Sequence, residues 1–527
     1  MPAIISDQFR ILNAETFVQS FTSIGNTANN YYTFLGQPNS GNTQAGGSPN
    51  WGEGLNPLDS FTDENQIKQT IISLKKITNS DVRRVVRKVQ WSAGTTYEMY
   101  RHDYSVYNKT PATNSTRLYE SNYYVINEDL RVYICLQNGS NADNPRGKSS
   151  FDQPTFIDLE PRVAGTSGDG YIWKYLFTIK PSEIIKFDSI EFIPVPENWG
   201  TVGESISIKN NAIDGKIQTI VTTNAGFGYQ YSGGLPYSFT NIPILGDGTG
   251  GKVTVTVDSI GKVSDVFVTE GGSNYTTGIV NFIPGASGIP QGLTNTGLEA
   301  SFDVIIPPKG GHGYDIYREL GTYRVLLYSR FQTDSTNPDT ILGNDFARVG
   351  IIKNPTVFGS DNQLLTDSEV SALKALKLTG SASSSTTYPV DSVITQTIGT
   401  GVTAIGFVAS WDKVTGVLKY YQPVGLATAL VNYQINDFSS SVSGSGTLSI
   451  NCDSSNFVGS ILQIDTGFNG STTTINNTQY KLGQSFNSGI SSAEYNKKSG
   501  EIIYIDNRSA IPLSSSQKED IKIVLEF

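Results

Sequence analysis

Gly215-Lys-Ile-Gln-Thr-Ile-Val-Thr-Thr-Asn-Ala-Gly-Phe-Gly-Tyr229 aligns without a gap on Gly261-Lys-Val-Ser-Asp-Val-Phe-Val-Thr-Glu-Gly-Gly-Ser-Asn-Tyr275, 46 residues further along the chain. In each copy a run rich in β-branched residues leads into a glycine-containing turn and then a tyrosine placed to pack back over a sheet. Two copies are too few for a solenoid, which needs about three or more. The expected element is a small, twice-repeated β-domain between residues 203 and 307.

Strand and turn signals continue outward from the repeat. They are strongest at Tyr123 to Leu136, Gly170 to Ile179, Thr322 to Phe331 and Ile502 to Ile505. Gly406 to Ser410 and Gly416 to Tyr421 flank Trp411-Asp-Lys-Val-Thr415 as a hairpin. Helical spacing predicts three helices. One covers Asp7 to Phe21; a second covers Asp63 to Thr78, with Ile67, Ile71, Leu74 and Thr78 on one face. The third starts at Thr366, whose Glu369 completes a capping box, and stops before Gly380. The stretch Gly36 to Pro57, rich in Gly, Asn and Pro, reads as an exposed loop. Ser439 to Ser460, rich in Ser and Gly, reads as a loop or as flat polar strands.

Composition bounds the function. The 527 residues carry 38 Lys+Arg against 48 Asp+Glu, a net charge of −10, which argues against broad wrapping of nucleic acid. Charged residues are 16 % of the chain, below the usual value of about 25 %. With 24 Phe, 27 Tyr and 5 Trp it is too aromatic to be disordered. Cys135 and Cys452 are the two cysteines, so no disulfide framework is expected. The opening Met1 to Asp7 has neither a basic nor a long apolar segment, which makes folding in a cytoplasm the expectation. The uncharged run Ser392 to Trp411 is half Ser, Thr, Gln or Gly and reads as strands, not as a membrane span.

Motifs that suggest chemistry are few. Gly246-Asp-Gly-Thr-Gly-Gly-Lys252 has the spacing of a phosphate loop. It lacks the following Ser or Thr and leads into the alternating run Val253-Thr-Val-Thr-Val257, so a β-turn is the better reading. His102 and His312 are the two histidines, and HExxH, GxSxG and CxxC do not occur. His312 is expected to be structural, in a Gly-rich turn; His102 is expected to hydrogen-bond the neighbouring Asp103. Catalytic, cofactor and metal sites are therefore not expected, and the chain is not expected to be an enzyme. A basic cluster of Lys75, Lys76, Arg83, Arg84, Arg87 and Lys88 stands out. Arg83, Arg84, Arg87 and Lys88 are the candidates for an interface with an acidic patch on a neighbouring subunit.

Several segments, in order, resemble one family. Gly168-Asp-Gly-Tyr-Ile-Trp-Lys-Tyr-Leu-Phe-Thr-Ile179 is similar to a strand of the dimeric baseplate wedge subunit, gene product eight, of T-even-type contractile-tailed bacteriophages. Phe9-Arg10 with Phe17 to Gly25, Tyr32 to Gly36 with Trp51, Arg87 to Trp91 and Val132-Tyr-Ile-Cys-Leu136 resemble further segments. Ser499-Gly-Glu-Ile-Ile-Tyr-Ile-Asp-Asn-Arg508 and Ile521 to Phe527 give the most specific likeness. It covers about Phe9 to Trp199 and Ser499 to Phe527. It implies a homodimer that joins other wedge proteins in the virion tail baseplate and relays its rearrangement, without cofactor, nucleic acid or membrane.

The expected architecture is mainly β, a multidomain arrangement of antiparallel sheets or β-sandwich with a few peripheral helices. The expected parts are an amino-terminal region 1–202, the repeated domain 203–307 as an insertion, connecting strands 308–356, a Ser/Thr/Gly-rich β region 357–498, and strands 499–527 returning to pack with the amino-terminal region. The alternative is a tail-associated receptor- or glycan-binding protein, suggested by the repeat and the aromatic content.

Overall fold

Strands make up 44 % of the computed structural model and helices 10 %, the strands forming several antiparallel sheets. The structure describes residues 6–22, 29–36, 61–105, 115–332, 345–380, 385–422, 436–512 and 518–527. The Gly- and Pro-rich stretch 37–57 with Trp51, and residues 23–25 of the opening resemblance, lie outside them. The chain forms two units, each discontinuous in sequence. The first comprises Met1–Val18, Arg83–Leu326 and Val524–Phe527; the second comprises Gln19–Val82 and Leu327–Ile523. Residues 19–82 and 83–202 therefore fall in different units.

The first unit is organised by an antiparallel sheet in the order Tyr124–Ile126, Arg131–Asn138, Tyr171–Thr178, Arg162–Val163. Cys135 stands opposite Trp173 and Tyr124 opposite Ile134. The expected strand Tyr123 to Leu136 is thus two strands joined by a turn in which Leu130 has φ +62°. The core of the sheet is aromatic: Tyr97, Tyr123, Tyr124, Tyr133, Tyr171, Trp173 and Tyr175 are all fully buried. A buried phenol needs a hydrogen-bond partner. Tyr123 donates to Glu319 O (2.6 Å), Tyr124 to Arg87 O (2.8 Å), Tyr133 to Phe156 O (2.6 Å) and Tyr171 to Lys148 O (2.7 Å).

The opening helix, Asp7–Ser20, is tied to the last residues of the chain. Arg10 bonds the Glu526 carboxylate at 2.6 Å and the Phe527 carbonyl, and its guanidinium lies 3.9 Å from the centre of the Tyr323 ring. The Phe17 and Phe527 rings are 5.2 Å apart.

The repeat folds into paired β-units. Ile217 N donates to Gly271 O (2.9 Å), and Val263 N, 46 residues on, donates to Ala225 O (3.0 Å). Each copy therefore hydrogen-bonds the other at matching positions. The first glycine of each copy abuts the last tyrosine of the other. A methyl on Gly215 would sit 2.1 Å from Tyr275 N, and one on Gly261 would sit 2.5 Å from Tyr229 O. Both glycines have positive φ, +64° and +78°, where a side chain is strained as well as crowded. The two tyrosine hydroxyls make equivalent clasps: Tyr229 donates to Phe282 O and accepts from Ala300 N, while Tyr275 donates to Ile244 O and accepts from Gly251 N. Gly246 to Lys252 forms no helix; Asp247-Gly248 is the turn between the strands Tyr237–Gly246 and Thr249–Val257, and the rest of the segment belongs to those strands.

The second unit contains a five-stranded sheet in the order Glu369–Ser371, Ile71–Ile77, Tyr31–Gly36, Asp345–Lys353, Glu501–Pro512. Amino-terminal, central and carboxyl-terminal pieces thus share one sheet. A seven-stranded sheet runs from Leu462–Gln463 through Ser449–Asp453, Val393–Gly399, Val402–Asp412, Val417–Tyr421 and Lys374–Lys377 to Ile490–Ser491.

Two expected helices are corrected here. The Asp63 to Thr78 pattern is a helix only over Phe61–Thr70, and Ile71–Ile77 is a strand hydrogen-bonded on both sides. Ile67, Ile71 and Leu74 are buried, as helical spacing required, but β-branched Ile71-Ile72 suits the strand better. The Thr366 helix is absent. Glu369 faces Lys75 across paired strands and forms an ion pair with it, the cross-strand counterpart of the expected capping contact.

Candidate functional site

Arg83, Arg84, Arg87 and Lys88 lie on or just after the strand Val82–Arg87, whose Val85 and Val86 pair with Pro194 and Ile193. The structure engages all four within the first unit. Arg83 bonds Glu183 (3.0 Å) and Glu197 (3.1 Å), and Lys88 bonds Asp188 (2.9 Å). Arg84 lies flat on Tyr317, 3.2 Å from the ring centre. Arg87 donates to the carbonyls of Glu120 and Ser121, each at 2.8 Å. The cluster clamps this strand to the segments 120–122, 183–197 and Tyr317.

A cleft of about 1290 Å³ lies in the first unit. One wall is the opening helix, with Phe9 and Leu12 half exposed. The opposite wall is Lys209 to Asp214 and the loop Pro308 to Glu319. Tyr119 and Tyr314 line it, among Gln8, Asn210, Asp214, Asp315 and Arg318. The loop is fixed from beneath. His312 Nδ1 and Glu319 Oε1 are 2.6 Å apart with both side chains almost fully buried, and Glu319 Oε2 accepts from Gly313 N at 2.7 Å. Trp199 Nε1 donates to Gly313 O (3.0 Å), and the Tyr100 ring meets His312 edge-on at 4.8 Å. Lys174, also buried, donates to Leu159 O (2.7 Å), and burial lowers its pKa.

His312 is thus held in a structural frame, and its partner is Glu319, seven residues on. The sequence marked His312 but not Glu319, because nothing in the spacing requires a short helix between them; Ile316–Glu319 supplies it. His102 differs from expectation. Asp103 pairs with Arg101 at 2.7 Å, and His102 Nδ1 accepts from Ile306 N at 3.2 Å, because the guanidinium is the stronger donor to a carboxylate. Cys135 is buried, and burial pushes its thiol pKa up. Among the described residues no group of three or more His, Cys, Asp or Glu is placed to hold a metal ion. Among them no helix is long and apolar enough to cross a membrane.

No family model matches the chain, and no curated protein matches it.

Proposed function

We propose that the chain is a structural, non-enzymatic subunit of a contractile phage tail baseplate, a homodimeric wedge protein that holds neighbouring wedge proteins in register and relays baseplate rearrangement in the virion. The reading starts from the sequence resemblance. One observation supports it: the resembling segments are framework segments. Val132 to Leu136 and Gly168 to Ile179 form or adjoin paired strands with Cys135 opposite Trp173 at the centre of the aromatic core. Glu501 to Asn507 pairs with Asp345–Lys353, which in turn pairs with the resembling strand Tyr31–Gly36. Segments that build sheets are where likeness of sequence speaks to likeness of fold. Function then follows by analogy with that fold's known setting. The test is to mix the purified chain with the other wedge proteins of the same phage and to measure mass by native mass spectrometry. A stoichiometric complex containing two copies of this chain is expected; its absence under assembly conditions overturns the reading.

A second reading, a receptor- or glycan-binding tail protein, is favoured by the cleft lined with Phe9, Tyr119 and Tyr314. Aromatic faces beside amides and carboxylates suit sugar rings. It predicts binding of a host surface polysaccharide that is lost in Tyr314→Ala.

A further inference from the structure

Lys497 lies in the second unit, just before the strand Glu501–Pro512. It lines a cavity of about 300 Å³ whose other walls include Phe358, Lys374, Tyr420, Tyr421 and Asp437. Its Nζ donates to the Gln69 carbonyl at 2.7 Å. A carbonyl fixes one N–H of the amine without offering a counter-charge. The nearby anion is already engaged: the Asp437 carboxylate bonds Lys374 Nζ, which also donates to Gln422 Oε1 at 2.9 Å.

A second carboxylate, Glu64 on the helix Phe61–Thr70 that carries Gln69, is paired with Lys68 at 2.8 Å. Burial raises the pKa values of Tyr420, Tyr421 and Tyr495, so these phenols stay neutral near pH 7. Lys498, next in sequence, is exposed. Lys497 is partly buried as a residue, and desolvation of its amine, then the Lys374 charge, lower its pKa to about 7. The sign is that of a cation losing its stabilisation: above pH 7 the amine is mostly neutral and its lone pair is free.

We propose that Lys497 is a reactive amine that captures small carbonyl compounds as an imine, with the aromatic walls taking the apolar or planar body of an aldehyde. In the step, the Nζ lone pair forms a bond to the carbonyl carbon and the carbonyl oxygen takes up the proton lost by nitrogen. The carbinolamine then loses water to leave C=N. Amine and aldehyde give imine and water, and no oxidant or reductant is required. This proposal is independent of the baseplate reading.

The experiment treats the full-length protein with benzaldehyde and cyanoborohydride between pH 5.5 and 10. Reduced adducts are then quantified by peptide mass spectrometry, with neighbouring Lys498 as the internal reference. At pH 7.5 an amine of pKa near 7 is mostly neutral, against roughly 0.1 % of an ordinary lysine. Labelling of Lys497 is expected to exceed that of Lys498 at least about tenfold after allowance for its lower intrinsic nucleophilicity. The midpoint of its pH profile is expected near 7. Urea is expected to level the two residues, and Lys497→Arg to remove the adduct. Equal labelling of the two lysines in the folded wild-type protein, or a Lys497 midpoint near 10, overturns the proposal. So does a preference that survives unfolding.

Discussion

The two copies of the repeat hold their closing tyrosines by the same hydroxyl clasp but seat the rings in opposite ways. Tyr229 rests against another ring, Phe282, at 5.2 Å, and Phe282 in turn meets Phe239 at 5.3 Å. Tyr275 lies on glycines. A methyl on Gly248 would fall 2.4 Å from Tyr275 Cγ, and one on Gly251 would fall 2.8 Å from its hydroxyl. The glycines that imitate a phosphate loop are there because a flat ring needs a floor without side chains. One duplicated backbone clasp therefore tolerates either aromatic or bare-backbone packing, provided that the hydroxyl reaches its two main-chain partners.

That contrast can be broken in graded steps, each read by hydrogen exchange at the amides of the repeat, which reports local opening in a chain of more than one unit. The largest effect is expected from removing a ring. Tyr229→Ala, Tyr275→Ala or Phe282→Ala should each cost about 3–5 kcal/mol, with Phe282→Ala loosening the first copy more than the second. Crowding comes next. Gly248→Ala should cost about 1–3 kcal/mol and expose the Gly251 amide while leaving the Ala300 amide protected. Equal loss at both amides would mean that the two seats are not independent. Deleting only a hydroxyl, by Tyr229→Phe or Tyr275→Phe, should cost about 1–2 kcal/mol and act equally on the two copies, since each strands one backbone N–H and one C=O.

The smallest effect concerns the second copy alone. Asp247 accepts from the Thr276 hydroxyl and from the backbone N–H of Thr276 and Thr277 (2.9 and 3.0 Å), and these bonds hold its carboxyl below the usual carboxylate range. A depressed carboxylate pKa stabilises above its unfolded value and loses that contribution as pH falls through the folded one. Acidification below about pH 4 should therefore loosen the 275–277 turn before the 229–231 strand, and Asp247→Asn should abolish the difference.

The repeat was legible because its signal is local: β-branched runs, glycines and a tyrosine at fixed offsets. So were the hairpin around Trp411 to Thr415 and the helix at Asp7–Ser20. Legibility failed where two periods bury the same residues. Ile67, Ile71 and Leu74 serve a helix face in one reading and a helix-to-strand junction in the other, and the partner strands that decide between them lie far away in sequence. Thr366 and Glu369 show the same limit, since a capping-box pattern gives way to a lysine on a paired strand. The cleft was invisible for a related reason. Its walls come from the opening helix and from residues some two to three hundred positions later, and the loop wall is itself fixed by a contact, His312 with Glu319, that no spacing rule demands.

The threading of the chain between two bodies bears on how it is born. The strand Tyr31–Gly36 leaves the ribosome early, yet one of its neighbours is Asp345–Lys353 and the strand beyond that is Glu501–Pro512. At roughly 5–20 residues per second, synthesis keeps that sheet unfinished for about twenty seconds to a minute and a half. During that interval its apolar residues are open to chaperones and to pairing between nascent chains.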